Sequence, residues 1–229
     1  MKLSKNRQKL IEKFDLDKSY EAIEAIKLLK EHAYVKFDES FEIAINLKID
    51  ANKTEQNIRG VINLPKGSGK NIRVAVMAKG DKAKEAKEAG ADLVGDEDLA
   101  KSVNEGKIEF DLLIATPDMM PIIAKIGKIL GPKGLMPNPK LGTVTQDVKL
   151  AVKNAKSGQV QYKNDKAGIV HAGIGKLNFE DEDLLENLKF FYSSVLKNKP
   201  DSIKGSFIKK VSIASTMGLG LEIKTSSLR

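Results

Sequence analysis

The sequence predicts an α/β chain of two domains, one discontinuous and made of both ends, the other inserted into it. Three observations carry that prediction. Phe37, Phe41, Ile43, Ile45, Leu47 and Ile49 occupy odd positions, while Lys36, Asp38, Ser40, Glu42, Asn46, Lys48 and Asp50 occupy even ones. Period two over this length is a sheet with one buried and one wet face. From Ile72 to Lys156 short apolar runs alternate with helical stretches, the pattern of a parallel sheet covered by helices. After Gly158 the alternating style returns. The changes fall at Leu64-Pro-Lys-Gly-Ser-Gly-Lys70 and Lys156-Ser-Gly158, both of linker composition. The simplest path puts residues 1–66 and 160–229 in one domain and 67–159 in the other, and 229 residues suffice for both. Two adjacent crossings make a natural hinge.

Taken in order, Ser19–Lys30 reads as a helix capped by Ser19, with Ala22, Ile26 and Leu29 on one face. The alternating strand from Phe37 follows. In the insert, Ile72–Ala78 is a strand and Asp81–Ala89 a helix that Gly90 ends. Ala91–Val94 is a strand, Asp96–Glu105 a helix ended by Gly106, and Asp111–Ala115 a strand. Asp118–Leu130 is a helix with Pro121 in its first turn and Met119, Ile122, Ile123, Ile126, Ile129 and Leu130 at helical spacing. Thr145–Lys156 is a further helix. Val160 and Tyr162 then open a strand, and Ala167–Ile174 is another. Glu180–Leu196 is a helix with Leu184, Leu188, Phe191 and Val195 on one side. Phe207–Ser215 and Leu219–Lys224 are strands joined by Thr216-Met217-Gly218.

Charge narrows the function. The net charge is +8, which favours a polyanionic partner. Gly80 to Asp111 holds ten acids and five lysines, whereas Met119 to Asn164 holds eight lysines and only Asp147 against them. The insert therefore has one side suited to an anion and one turned away. Within the basic part, Gly131-Pro-Lys-Gly-Leu-Met-Pro-Asn-Pro-Lys-Leu-Gly142 carries three prolines and three glycines, so it is a shaped loop. Such a loop loses little entropy when it meets a partner. There is no cysteine, which excludes disulfides, zinc ribbons and thiol nucleophiles. His32 and His171 lie far apart and no metal-ligand spacing occurs. No apolar run reaches the roughly twenty residues of a membrane span, and residues 1–13 lack a signal-peptide core. A cytoplasmic protein without a membrane partner is expected.

Enzyme signatures fail on inspection. Gly67-Ser-Gly-Lys70 has Leu64 and Asn71 where a phosphate loop needs Gly and Ser or Thr, and it precedes its strand. The turn after Ile72–Ala78 is Lys79-Gly80-Asp81, without the dinucleotide glycines. No cofactor, no metal and no catalytic residue are expected. His171, in Ala167-Gly-Ile-Val-His-Ala-Gly173, reads as a structural or surface residue of a strand. Thr216-Met217-Gly218 is poorly explained as core. A methionine between Thr and Gly in a turn presents a flat apolar surface with hydroxyl and backbone donors, which suits a nucleotide and its 2′-hydroxyl.

At this point the residues match a family. Pro121-Ile-Ile-Ala-Lys-Ile-Gly-Lys-Ile-Leu-Gly-Pro-Lys-Gly-Leu-Met-Pro-Asn138 resembles the signature of the ribosomal protein L1 family. Gly158-Gln-Val-Gln-Tyr-Lys-Asn-Asp-Lys-Ala-Gly-Ile-Val-His-Ala-Gly-Ile-Gly-Lys176, Ser215-Thr-Met-Gly218 and Phe37-Asp-Glu-Ser-Phe-Glu42 are similar to three further family segments. The likeness covers essentially the whole chain in order, at bacterial length. It implies a split α/β sandwich from both termini, domain I, and an inserted Rossmann-like domain II. It implies a protein of the large ribosomal subunit that binds ribosomal RNA at the mobile stalk and contacts transfer RNA at the exit site. It also implies repression of its own messenger through the leader, alongside other ribosomal components, by a protein that is monomeric when free. Carried over by residue, Lys36, Phe37, Ser40 and Glu42 with Thr216, Met217 and Gly218 form the main RNA site, joined by Lys163 and His171. The second contact is the insert loop, with Gly131, Pro132, Lys133, Gly134, Met136, Pro137, Lys140 and Gly142. The rivals are an α/β enzyme with a nucleotide cofactor and a nonspecific basic RNA-binding protein.

Overall fold

The structure, a computed structural model, describes residues 7–8, 10–11, 14–15, 18–51, 53–203 and 205–228, the side chains of Thr54 and Lys140 excepted. The chain is of the α/β class. In order, its described elements begin with β1 (Ser19–Tyr20), α1 (Ala22–Glu31), β2 (Ser40–Leu47) and β3 (Arg59–Asn63). Next come β4 (Val74–Met77), α2 (Asp81–Glu88), β5 (Leu93–Gly95), α3 (Glu97–Asn104), β6 (Leu112–Ala115), α4 (Met120–Leu130) and α5 (Val148–Lys156). The last are β7 (Gln159–Lys163), β8 (Ile169–Lys176), α6 (Asp181–Lys197), β9 (Ile208–Ser215) and β10 (Leu221–Ile223). By packing, these fall into two compact units. The first holds the residues up to Gly69 and from Val160 on, the second Lys70–Gln159.

The first unit is built on a five-stranded sheet in the order β1-β10-β9-β2-β8. Its centre is antiparallel, with Ile43 opposite both Ala172 and Ile213. The odd positions of β2, Phe41, Ile43, Ile45 and Leu47, are buried against α1 and α6, whose inward residues are Ala25, Ile26 and Leu29, and Leu184, Leu188, Phe191 and Val195. Each of the buried Phe, Ile, Leu and Val side chains contributes about 1.5–3 kcal/mol of burial. The opposite face stays wet, with Glu42, His171 and Lys210 exposed. Beside the main sheet, β3 pairs with β7. A Cβ on Gly60 would lie 2.5 Å from the Tyr162 hydroxyl oxygen, so glycine lets that ring cross the strand and meet Phe191 edge-on at 5.3 Å. Asn187, fully buried in α6, ties the start of the interdomain stretch to the sheet. Its Oδ1 accepts from the Lys66 N–H at 3.1 Å, and its Nδ2 donates to the carbonyls of Gly67 and Ile174 at 3.0 and 2.9 Å.

The second unit has a three-stranded parallel sheet in the order β5-β4-β6. All of β4 is buried, and alternate residues serve opposite cores. Ala75 and Met77 pack with Val103 of α3 and Ile123, Ile126 and Leu130 of α4. Val74 and Val76 pack with Ala86 of α2 and Val148, Val152 and Ala155 of α5. A parallel sheet buried on both faces reads as the unbroken apolar run seen here.

Three local expectations are corrected. Ser19 does not cap a helix. It pairs with Glu222 in the sheet, and α1 starts at Ala22, whose N–H donates to Ser227 Oγ at 3.3 Å, a partner 205 residues away in sequence. The alternating strand starts at Ser40, not Phe37, because its ladder ends at the Ser40–Lys176 pair. Helix α5 starts at Val148 rather than Thr145. Val144 bridges to Ala115 and the Thr145 N–H donates to the Ala115 carbonyl at 3.1 Å, which holds these residues extended. The Asp147 carboxylate then caps the helix by accepting from the Leu150 N–H.

Candidate nucleic-acid interface

The residues singled out from sequence divide between the two units. In the first, the ends of β2 and β9 bring two distant segments together. The Ser40 N–H donates to Thr216 Oγ1 at 2.9 Å, across 176 residues of sequence. Lys176, at the end of β8, donates to the Asp38 carbonyl and to Ser40 Oγ, each at 3.2 Å. The bend before β2 is therefore tied on two sides. From this tied corner Phe37 and Met217 project, 55% and 50% exposed. Large apolar side chains held out at this level, flanked by exposed Lys36 and Thr216, offer surface to a partner rather than to the core. Gly218 packs closely against this turn, and a Cβ there would lie 2.4 Å from Ser215 Oγ, which would have to move.

From that corner the wet face of the sheet runs inward as a shallow depression lined by Glu42, Ala44, His171, Gly173, Ser212, Ala214 and Gly220. Its rows follow the register: Glu42 sits between Gly173 and Ala214, and Ala44 between His171 and Ser212. Small residues dominate these rows, so a nucleic-acid backbone can approach the strands closely while hydroxyl, imidazole and carboxylate groups reach out. His171 Nε2 lies 3.5 Å from Asp165 Oδ2. Asp165 Oδ1 accepts from the N–H groups of Ile169 and Ala167, each at 2.8 Å. These bonds, led by that of Ile169, hold its carboxyl below the usual carboxylate range, with His171 adding to the effect. The Asp165 carboxylate thus shapes the turn into β8 and anchors the ring beside it.

Lys36, Phe37, Ser40, Thr216, Met217 and Gly218 share the corner, and Glu42 and His171 share the adjoining face. Lys163 is exposed at the end of β7, one residue from the Asn164–Val170 bridge, as is His171, so it lies toward the His171 end of β8 and away from the corner at Lys176. Sequence reasoning missed Lys176, Ala44, Gly173, Ser212, Ala214 and Gly220. The even positions of the Phe207–Ser215 strand carried a usable signal, Lys210, Ser212 and Ala214 alternating with apolar neighbours. Lys176 had none, because its role is a tertiary tie.

In the second unit the 131–142 loop is folded on itself. The Gly131 N–H donates to the Gly127 carbonyl at 2.8 Å and the Leu135 N–H to the Leu130 carbonyl at 3.1 Å. The Asn138 N–H donates to Thr143 Oγ1 at 2.7 Å, and that hydroxyl donates back to the Asn138 carbonyl at 3.1 Å. Gly134 and Gly142 supply φ of 72° and 68°, left-handed turns that favour glycine. Pro132, Lys133 and Gly134 are exposed, Met136 is 43% exposed, and Pro137 is buried. The Lys140 side chain lies outside the described residues. Acidic partners are spread unevenly over the insert's lysines, and Lys156 of this half has one in Asp92. Lys84, Lys101 and Lys107 pair with Asp81, Asp98 and Glu105. Lys125, Lys128, Lys133, Lys149 and Lys153 are exposed, and among the described residues none of them has an acidic partner. Unpaired ammonium groups are free to neutralise phosphates.

Among the described residues no group of three or more histidine or acidic side chains could hold a metal ion, and no helix is long and apolar enough to cross a membrane. A family model described as the ribosomal protein L1p/L10e family matches residues 29–219, most of the chain and both units.

Proposed function

From the premise that this chain belongs to the ribosomal protein L1p/L10e family, a family of ribosomal RNA-binding proteins and not of enzymes, we propose a bacterial-type stalk protein with a specific site on its first unit. The coarse function follows from membership: a component of the large ribosomal subunit that binds ribosomal RNA. The finer reading places the main RNA site on the first unit, domain I, at Lys36, Phe37, Ser40, Glu42, His171, Thr216, Met217 and Gly218. Lys163, one residue from the bridge that Val170 makes beside His171, joins His171 as a weaker contributor to that site. The second unit, domain II, adds a secondary contact through the 131–142 loop and its unpaired lysines. In the ribosome the protein would hold the stalk that contacts and releases exit-site transfer RNA. Off the ribosome it would repress its own messenger through a similar RNA fold in the leader.

The observation that supports this reading best is the Ser40 N–H bond to Thr216 Oγ1. It joins Thr216-Met217-Gly218, whose composition suggested RNA contact, to the Phe37–Glu42 segment that the family resemblance adds, at a corner where Phe37 and Met217 are exposed. Polar and apolar groups, rather than arginine, dominate that corner. Such a set reads sugar edges and shape, while lysines supply attraction without sequence. The test is a salt titration of binding to a large-subunit stalk RNA fragment beside an unrelated RNA duplex. Phosphate contacts weaken steeply with salt, whereas shape-specific contacts persist. Retention of the stalk fragment at salt that releases the duplex supports the reading. Parallel loss of both would leave a nonspecific basic RNA binder and remove the corner from the site.

A further inference from the structure

The corner contains a group that the reading above does not use. Glu39 lies between exposed Asp38 and half-buried Ser40, yet it is only 2% exposed, and among the described residues neither carboxylate oxygen has a hydrogen-bond partner. Its backbone is fixed, since its carbonyl accepts from the Leu177 N–H at 3.0 Å. It precedes the strand, and its burial is tertiary, not a consequence of the pleat. On the neighbouring strand the residue opposite Phe41 is Ser215, whose buried hydroxyl also lacks a partner among the described residues. Two buried polar groups without partners among the described residues thus lie at the sheet end that carries the Thr216–Gly218 turn. Buried carboxylates without partners are rare because leaving water uncompensated is costly. Where a fold retains one, the local rule is being broken in a place with another use.

We propose that Glu39 is a further specificity-determining residue of the RNA site, accepting a hydrogen bond from a minor-groove donor of the RNA when the corner opens on binding. This rests on the RNA-binding reading of the same corner. A carboxylate repels phosphate, so its complement in RNA is a donor: the ribose 2′-hydroxyl or the exocyclic amine of guanine. The bonds that close the corner lie at its surface, where a ligand can replace them. The strand ladder stops at Ser40, and the Ser40–Thr216 and Lys176–Asp38 bonds across the gap are both exposed to water. The free protein therefore holds an unsatisfied acceptor that the right ligand satisfies and a DNA backbone, lacking the 2′-hydroxyl, satisfies less well. That makes the residue costly for folding and useful for discrimination, an opposition that a purely structural role does not show.

The experiment compares full-length wild type with Glu39→Gln and Glu39→Met. Affinities are measured for the large-subunit stalk RNA fragment unmodified, with single 2′-deoxy substitutions, and with inosine for guanine, beside thermal midpoints of the free proteins. The expected result is that both variants melt at or above the wild-type midpoint and bind the unmodified fragment about tenfold or more weakly, the scale of one lost specific hydrogen bond. One 2′-deoxy or one inosine substitution should weaken wild type by a similar factor and leave both variants unchanged. A 2′-deoxy hit identifies the ribose as donor and an inosine hit the guanine amine. Wild-type affinity in either variant overturns the proposal, as does a lowered midpoint in both or full additivity with every RNA substitution. Failure of wild type to prefer the stalk fragment over the control duplex overturns the underlying reading, and this one with it.

Discussion

The sheets of the two units make opposite use of β-structure. In the second unit β4 is buried on both sides, so all its side chains pack and none is free to recognise anything. In the first, β2 alternates, and only its inward half is occupied by packing. A sheet closed on both faces leaves contact to its loops and helix surfaces, which here carry unpaired lysines. A sheet open on one face can place chosen groups at fixed register. The difference teaches that one chain can divide attraction and discrimination between two kinds of sheet.

The largest effect that would break this contrast is at two phenylalanines four residues apart. Phe41→Ala should cost about 3–5 kcal/mol of stability, because it opens a cavity between sheet and helices. Phe37→Ala should change stability by no more than about 0.5 kcal/mol, since the ring is already half in water. It should nevertheless weaken stalk-fragment binding by about 1–3 kcal/mol. Urea unfolding beside binding reads both. A large stability loss at Phe37 would mean that the exposed ring is part of the core after all.

A second pair sharpens the same point with one substitution in both sheets. Ala75→Leu inserts three carbons into a strand packed on both sides and should cost about 1–3 kcal/mol through overpacking. Ala44→Leu, between His171 and Ser212 on the open face, should leave stability within about 0.5 kcal/mol. It should also reduce specific RNA binding by about tenfold, because the new side chain stands where the ligand must approach. Equal destabilisation by both would show that the first sheet is covered on its outer side.

How much of this was legible in the sequence follows from how local each cause is. The inward residues of β2 and the apolar runs of the insert could be read directly, because a strand's period is a property of neighbours. Thr216-Met217-Gly218 stood out because its composition suits neither core nor ordinary turn. Glu39 was invisible. A glutamate in a polar stretch reads as solvated, and only the tertiary cover from the sheet end shows that it is not. Ser19 misled for the reverse reason. Its type and place suit a cap, but a strand from the other end of the chain competes for it and wins.

The division between attraction and discrimination can be sharpened at single residues. Met217→Ala should lower affinity for the stalk fragment by about 1 kcal/mol or more while leaving duplex binding and the salt slope unchanged. Lys133→Ala and Lys125→Ala should each weaken both RNAs by similar factors and reduce the salt slope by about one. Salt titrations of the three variants on both RNAs distinguish these patterns. A selective loss at either lysine would move discrimination into the insert and dissolve the contrast.

The smallest effect concerns acid, and each unit supplies one carboxylate for it. Asp92 in the second unit accepts from the Val74 N–H at 2.8 Å and pairs with Lys156 at 3.2 Å. The Val74 bond, with Lys156 adding, holds its carboxyl below the usual range. Asp165 is lowered in the same direction by the Ile169 and Ala167 N–H groups. A carboxyl whose folded pKa is depressed stabilises the fold fully above its unfolded value, and that contribution is lost as pH falls through the folded value. Both contributions should therefore be complete at neutral pH and fade below about pH 4, the ordinary carboxylate value. Asp92→Asn and Asp165→Asn should each flatten the acid limb of the stability profile, and the unit that unfolds first in acid should change with the residue replaced. In the first unit the loss has a second consequence, because Asp165 also anchors His171 on the open face. Asp165→Asn should weaken stalk-fragment binding slightly at neutral pH, whereas Asp92→Asn should not. Equal binding by both variants would separate the β8 turn from the recognition surface.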